Sequence, residues 1–114
     1  MKALIIKSPW IDMIFEGKKT WEIRGSNTKI RGKIALIKSG SGMIYGEINL
    51  VESIELSLTD YQENRRFHGV ASEAAGELPY KRTYAWVLDK PRIYKEPVPY
   101  KHPMGAVIWV RLTE

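Results

Sequence analysis

The segment SPWIDMIFEGKKTWEIRG, from Ser8 to Gly25, joins two hydrophobic patterns of different period through a glycine. In its first half, apolar side chains recur at helical spacing, which predicts a short helix from Pro9 to Glu16 with Ser8 as its N-cap. Gly17 is typical of the position that follows a helix C-terminus. From Thr20 onward polar and apolar residues alternate, which indicates a β-strand. The segment therefore predicts a helix that leads directly into a strand.

This strand presents two different faces. Trp21 and Ile23 lie on the face that is expected to enter the core, and Glu22 and Arg24 lie on the other. Two residues apart on a strand, Glu22 and Arg24 are separated by about 6–7 Å along the backbone, so their side chains can form an ion pair.

Two lysines precede the strand. Lys18 and Lys19 leave the helix where cations suit the negative end of its dipole, and an ammonium group there can lean over the charged face. A mixed row of charges is typical of a solvated strand face, but it also suits a binding site. Periodicity alone leaves both interpretations open.

The rest of the chain predicts about five more strands and a second helix. Strands are expected at 3–6, 33–38, 83–88 and 105–112, with a long strand or strand pair at 43–56 that bulges near Gly46 and Val51. A weak capping box of Thr59 and Gln62 predicts a helix over 60–67. Prolines 91, 97, 99 and 103 are expected to keep the chain extended and out of a central sheet.

These elements predict one domain over residues 1–114, of mixed α/β but β-rich class. About six short strands and two or three short helices favour a small closed or nearly closed β-barrel, since closure removes exposed strand edges. The order of the elements does not alternate as a doubly wound sheet requires.

The composition is basic and lacks cysteine. The net charge of +5 and the sequence pI near 9.5 favour a polyanionic partner, although an excess of charge can also serve solubility alone. The absence of cysteine excludes disulfides, thiolate nucleophiles and zinc–thiolate sites, and it fits a cytoplasmic protein. The two histidines, His68 and His102, lack metal-ligand spacing, so no metal or other cofactor is expected. No apolar run approaches the roughly 18 residues of a membrane span, and the N-terminus does not read as a signal peptide.

The opening segment resembles the signature of the ASCH domain family, within the PUA-like superfamily. The resemblance rests on Ser8-Pro9-Trp10 in the helix and on the pattern G-x-K-x-x-E-x-R, formed here by Gly17, Lys19, Glu22 and Arg24. It continues into YAWVL at 84–88 and weakly into GAVIW at 105–109. It implies a PUA-like β-barrel with a cleft between barrel and helices, into which the motif side chains project. It also implies an association with RNA; some members resemble nucleases, and others are amidohydrolases that deacylate N4-acetylcytidine.

The leading hypothesis is therefore an RNA-binding or modified-nucleotide-recognising ASCH domain. Its partner would be RNA, a nucleotide or a modified nucleoside, held by basic side chains, a carboxylate and stacking aromatics. The candidate ligand-binding residues are Ser8, Trp10, Lys18, Lys19, Glu22, Arg24 and Tyr84.

Two alternatives remain open. The first is a metal-independent hydrolase of acylated cytidine or RNA, with Glu22 as general base and Lys19 as charge stabiliser. The amidohydrolases that the chain resembles carry a threonine where Glu22 stands, and Thr20 lies too far along the strand to replace it, which argues against a threonine acyl-enzyme. The second alternative is an adaptor domain that binds another protein.

Two further groups of polar residues suit contact with phosphate. Arg65, Arg66 and His68 form a basic patch near the second helix, but nothing in the sequence places it beside Lys19 or Glu22. Lys38 and Ser39 end a strand at a glycine-rich turn, for which a plain surface turn is the simpler interpretation.

Overall fold

A continuous six-stranded sheet organises the computed structural model, which describes residues 1–113. Along the sheet the order is β2-β5-β4-β3-β1-β6; β1 and β3 are parallel, and the other neighbouring strands are antiparallel. The prediction of a β-rich α/β fold with about six strands is confirmed. The strands are β1 (Lys2–Ile6), β2 (Trp21–Arg24), β3 (Gly32–Lys38), β4 (Met43–Leu56), β5 (Thr83–Pro99) and β6 (Trp109–Arg111).

Three short helices accompany the sheet, namely α1 (Trp10–Phe15), α2 (Leu58–Glu63) and α3 (Arg65–His68), followed by a single 3₁₀ turn at Ser72–Ala74. The predicted N-cap of α1 is wrong. Pro9 occupies the cap position, and the Ser8 hydroxyl donates to the Asp12 carboxylate at 2.7 Å instead of accepting from the backbone.

The predicted start of α2 is also wrong. The Ser57 hydroxyl accepts from the Asp60 N–H at 3.0 Å, and the Asp60 carboxylate accepts from the Ser57 N–H at 3.2 Å. This reciprocal capping box begins the helix directly after β4, two residues before Thr59. The bonding of Ser57 and Asp60 to each other's backbone outweighs the weaker pattern that begins at Thr59.

The sheet does not close into a barrel, which corrects the predicted architecture. Its end strands, β2 and β6, have four and three residues, and within residues 1–113 no backbone ladder joins them. Side chains connect the two ends instead. Arg24 Nη2 donates to the Ile5 carbonyl of β1 at 2.8 Å, and the Trp86 and Trp109 rings stack with centroids 5.7 Å apart.

Strand β5 contradicts the expectation that prolines would keep this part of the chain out of the sheet. It runs for 17 residues beside β4 and includes Pro91, Pro97 and Pro99. The prolines are tolerated because β2 pairs with 84–87 alone, so the rest of β5 has an open edge on that side. The last strand is shorter than predicted, at Trp109–Arg111 instead of 105–112.

The predicted bulges in β4 are confirmed. Its register against β5 shifts between Ile44 and Gly46 and between Leu50 and Glu52. Helix α1 packs closely here, since a Cβ added at Gly46 would lie 2.8 Å from ring carbons of Phe15. Gly46 therefore allows the helix to approach the sheet backbone.

Buried clusters cover both faces of the sheet. The main cluster lies between α1 and one face, and it includes Ile14, Leu36 and Trp86. On the opposite face, a second cluster forms around Leu56, Tyr61, Ala75 and Ala85, beneath the segment that contains α2 and α3. Within residues 1–113, no helix has the length and apolar character that a membrane span requires.

The predicted alternation of β2 is confirmed, although its two faces are buried to different extents from those expected. Trp21 and Ile23 are half-buried and pack against the cluster around Tyr61. Glu22 is only 6% exposed and pairs in register with Trp86 of the main core. The charged face is thus the more enclosed of the two.

Candidate functional site

A cleft of about 360 Å³ opens where the sheet fails to close. The lining includes residues of β1, α1, β2 and α2 and of the segment that follows α3. A cavity of this size lies within the range of about 300–1,000 Å³ that small-molecule sites occupy. The cleft is lined by Ile5, Lys7, Trp10, Lys19, Glu22, Ile23, Arg24, Ser39, Tyr61, Val70, Pro79, Tyr80 and Val107.

Three charged side chains form a continuous row in this cleft. Lys19 Nζ lies 3.8 Å from Glu22 Oε1, and Arg24 Nη2 and Nε lie 2.8 and 3.0 Å from Glu22 Oε2. The side chains of Lys19, Glu22 and Arg24 are 2%, 8% and 16% exposed. The row carries two positive charges against one negative charge, so it has a net charge of +1 in a poorly hydrated place.

Lys19 is held by one backbone carbonyl and by one aromatic ring. Its Nζ donates to the His68 carbonyl at 2.6 Å and lies 4.9 Å from the centre of the Trp10 ring. Burial lowers the pKa of Lys19 to about 8, and the positive charge of Arg24 acts in the same direction, while the Glu22 carboxylate opposes them. A minor fraction of the amine is therefore neutral near pH 7.

Local geometry explains why the chain delivers Lys19 to this place. Gly17 ends α1 with a positive φ of 78°, which suits glycine and turns the chain toward β2. The backbone of Thr20 is then fixed on both sides, because its N–H donates to the Phe67 carbonyl and its carbonyl accepts from the Leu88 N–H, each at 2.8 Å. The residue before Thr20 consequently points into the cleft.

Arg24 has a structural and a chemical role. Its Nη2 bonds both Glu22 and the Ile5 carbonyl, and its guanidinium carbon lies 5.6 Å from the centre of the Trp86 ring. It fixes the Glu22 carboxylate and ties β2 to β1 across the open side of the sheet. Oε1 of Glu22 is the carboxylate oxygen that Arg24 leaves available.

The structure brings together only part of the predicted site. Trp10, Lys19, Glu22 and Arg24 line the cleft, whereas three other candidates lie outside its lining. Ser8 is exposed and bonds Asp12, and Lys18 is exposed and lies 3.9 Å from the Glu16 carboxylate. Tyr84 is 8% exposed and belongs to the main core, so the role of stacking residue proposed for it is not supported by its position.

His68 is a buried structural residue beside the cleft. Its ring is fully buried, stacks on Tyr61 at 4.5 Å, accepts from the Val70 N–H through Nδ1 at 2.9 Å and bonds the Tyr61 carbonyl through Nε2 at 2.6 Å. These bonds fit the neutral ring protonated on Nε2, and burial lowers the pKa of His68. Arg65 and Arg66 of the same patch lie outside the lining.

Several lining residues were not identified from the sequence. Tyr61 and Tyr80 supply aromatic walls from distant segments, and no local pattern marks them. One signal was present at Gly25, which closes the opening motif: a Cβ there would lie 2.8 Å from the Tyr80 ring. Among residues 1–113, no three acidic or histidine side chains are grouped as a metal site requires.

Comparisons with known proteins agree with this architecture. The family model described as "ASCH domain" matches residues 4–98. The fold is similar to that of ASCH from Zymomonas mobilis, with a TM-score of 0.75 at 12% identity, covering 99% of this chain and 87% of that one. Two mutant forms of that protein give TM-scores of 0.75 and 0.71 at 13% identity, covering 99% and 86% of this chain and 88% and 74% of theirs. No curated protein sequence matches significantly. The family match spans most of the chain and contains the cleft motif: the chain belongs to the ASCH domain family.

Proposed function

We propose that this ASCH domain binds RNA or a modified nucleotide, and that one base enters the cleft lined by Lys19, Glu22 and Arg24. The observation that carries the proposal is the row of two cations and one carboxylate, buried yet open to a cleft of about 360 Å³. The family to which the chain belongs is linked to RNA binding.

The side chains in the cleft match the edge of a base. An oxygen of Glu22 can accept from an exocyclic amine such as N4 of cytosine, as carboxylates do in base recognition. The ammonium of Lys19 and the guanidinium of Arg24 can donate to carbonyl or ring-nitrogen acceptors on the same edge. Trp10 and Tyr80 supply aromatic surface on which a base can stack.

The surface charge fits the remainder of such a ligand. Lys7 lies at the exposed rim of the cleft, and the chain carries a net charge of +5. Cations at the rim attract phosphates and release their counterions, which favours RNA over an uncharged ligand.

Binding of labelled single-stranded RNA, measured by fluorescence anisotropy over a range of salt concentrations, tests the proposal. The logarithm of the association constant should fall linearly with the logarithm of the salt concentration. Lys19→Met should weaken binding about tenfold, because a buried charged donor is lost. The exposed neighbour provides a matched control, since Lys18→Met should change affinity far less.

A variant of the carboxylate separates base recognition from attraction to phosphate. Glu22→Gln should still bind RNA with the same salt dependence but with a changed preference among the four bases, because an amide both donates and accepts. Wild-type protein that binds no RNA at low salt would refute the proposal, as would equal affinities for the Lys19 and Lys18 variants.

One observation favours the hydrolase as a second candidate. A lysine with a pKa of about 8 in a cleft, next to a carboxylate, is typical of catalytic sites. Glu22 Oε1 would take a proton from water, and Lys19 would stabilise the negative charge that develops on the substrate. Turnover of N4-acetylcytidine or of short RNAs that is lost in folded Glu22→Gln would establish this activity. If neither binding nor turnover is found, the adaptor hypothesis is favoured.

A further inference from the structure

A second cavity adjoins the cleft. It has a volume of about 580 Å³ and shares four lining residues with the cleft, so the two form one groove. Its other walls come from the turn after β3 and from the segment between β5 and β6. The shared residues are Ile5, Lys7, Ser39 and Val107, and those of the second cavity alone are Gly40, Gly42, Tyr100, His102 and Ala106.

We propose that this second cavity receives the neighbouring nucleotide of a single-stranded RNA whose first base occupies the cleft. Lys7 and Ser39 would then contact the phosphate that joins the two nucleotides. This inference rests on the proposed function and extends it, because it makes a stretch of at least two nucleotides the ligand.

Two aromatic rings in the second cavity are held in fixed positions. The Tyr100 hydroxyl lies 2.7 Å from His102 Nδ1, and His102 Nε2 lies 2.9 Å from the Ala106 carbonyl. Because a carbonyl only accepts, Nε2 carries the hydrogen, and Nδ1 of the neutral ring accepts from the tyrosine hydroxyl. The rings meet edge to face, with centroids 5.7 Å apart. Rings fixed before binding lose little conformational freedom when a base stacks on them.

The boundary between the cavities has the chemistry of a phosphate contact. Lys7 and Ser39 are exposed and line both cavities. Ser39 begins the Ser-Gly-Ser-Gly turn, where Gly40 and Gly42 have positive φ values of 80° and 69° and an added Cβ would meet no atom within 4 Å. A ligand backbone can therefore approach this turn closely.

An apolar side chain at the same boundary supports an organic ligand over a free phosphate ion. Val107 lines both cavities and is 76% exposed. A base or ribose in either cavity would cover it, whereas an inorganic anion would not.

The test compares nucleosides with dinucleoside monophosphates. Wild-type protein is titrated at low salt, by calorimetry or NMR, with adenosine, cytidine, guanosine and uridine and then with ApA, CpC, GpG and UpU. We expect the preferred dinucleotide to bind at least about fivefold more tightly than its nucleoside, because one more base is stacked. Tyr100→Leu, which keeps an apolar side chain at this position, should remove this gain and leave nucleoside affinity unchanged.

Two further variants keep the result interpretable. His102→Ala removes an exposed ring, and it should also remove the gain in affinity for the dinucleotide. It tests the second cavity even if Tyr100→Leu folds poorly. Lys7→Met should weaken binding of the dinucleotide more than binding of the nucleoside, because only the dinucleotide carries a phosphate; Lys18→Met, outside both cavities, should weaken neither.

The possible failures can be told apart. If the wild type prefers the dinucleotide but all three cavity variants bind it normally, the second subsite is refuted and the proposed function stands. Equal affinity of the wild type for nucleoside and dinucleotide would also refute the second subsite and leave the proposed function standing. If the wild type binds neither these ligands nor longer RNA, the proposed function fails, and this inference fails with it.

Discussion

Lys19→Met tests the electrostatics of the cleft through the stability of the fold. Lys19 is 2% exposed, and burial holds its pKa near 8 in the folded protein against 10.5 for an ordinary lysine. Each unit of pKa difference corresponds to about 1.4 kcal/mol. Burial of the Lys19 charge therefore destabilises the fold by about 3 kcal/mol at neutral pH. Methionine has a similar length and no charge, so it removes this unfavourable contribution.

The pH dependence has a definite sign. Below pH 8 the amine is protonated in both the folded and unfolded states, and the destabilisation is complete. Between 8 and 10.5 the folded protein releases the proton first, so the contribution of Lys19 becomes less unfavourable as the pH rises. The free energy of unfolding of the wild type, minus that of Lys19→Met, should therefore increase by about 2 kcal/mol from about pH 7 to about pH 9.5.

Urea denaturation followed by the fluorescence of the four tryptophans measures both free energies. Taking the difference between two proteins cancels the titration of groups that they share. Lys18→Met is the matched control, because the Lys18 side chain is 68% exposed and lies outside the cleft. A difference for Lys19→Met that stays constant or decreases as the pH rises would refute the electrostatic description of this cleft.

Three further predictions concern the framework. Gly46→Ala should destabilise the fold by about 1–3 kcal/mol in urea denaturation, because its Cβ would lie too close to the Arg92 carbonyl of β5 and to the Phe15 ring of α1. Gly76→Ala, with open space around it, should not destabilise the fold, and equal effects of the two variants would contradict this close packing. Ser57→Ala should lower stability by about 1 kcal/mol and Thr59→Ala by much less, and the reverse order would place the cap at the later residue. Burial lowers the pKa of His68, so its contribution to stability is complete above pH 6.5 and is lost as the pH falls below that value. The variant His68→Asn should lack this loss of stability in acid. A variant as sensitive to acid as the wild type would contradict the prediction.

Much of the local structure could be predicted from short stretches of sequence. The apolar run of β1, the helical spacing of α1 and the alternation of β2 were predicted with nearly the observed bounds. The motif from Gly17 to Arg24, together with the helix before it and the strand at 84–88, indicated the family, and three side chains of the motif meet in the cleft. These features depend on neighbours within a few residues, where steric and hydrogen-bonding preferences act directly.

Predictions that required distant partners were less successful. Tyr84 was a stacking candidate by its place on an alternating strand, but that strand turns it into the core. The prolines of β5 were expected to exclude the chain from the sheet, because the sequence does not show that one edge of this strand is left unpaired. Tyr61, Tyr80 and Val107 enter the cleft from remote segments, and their place depends on the packing of the whole chain.

The sequence by itself determined which side chains of β2 share a face, because the period of a strand is fixed by its backbone. Only the tertiary structure decided that this face is enclosed and charged at once. No backbone ladder joins the end strands within residues 1–113, and Arg24 bridges the gap by bonding Glu22 and the Ile5 carbonyl. The walls of the cleft enclose Lys19, and this burial lowers the pKa of Lys19 to about 8. The cleft exists because side chains, and not a backbone ladder, join the two ends of the sheet.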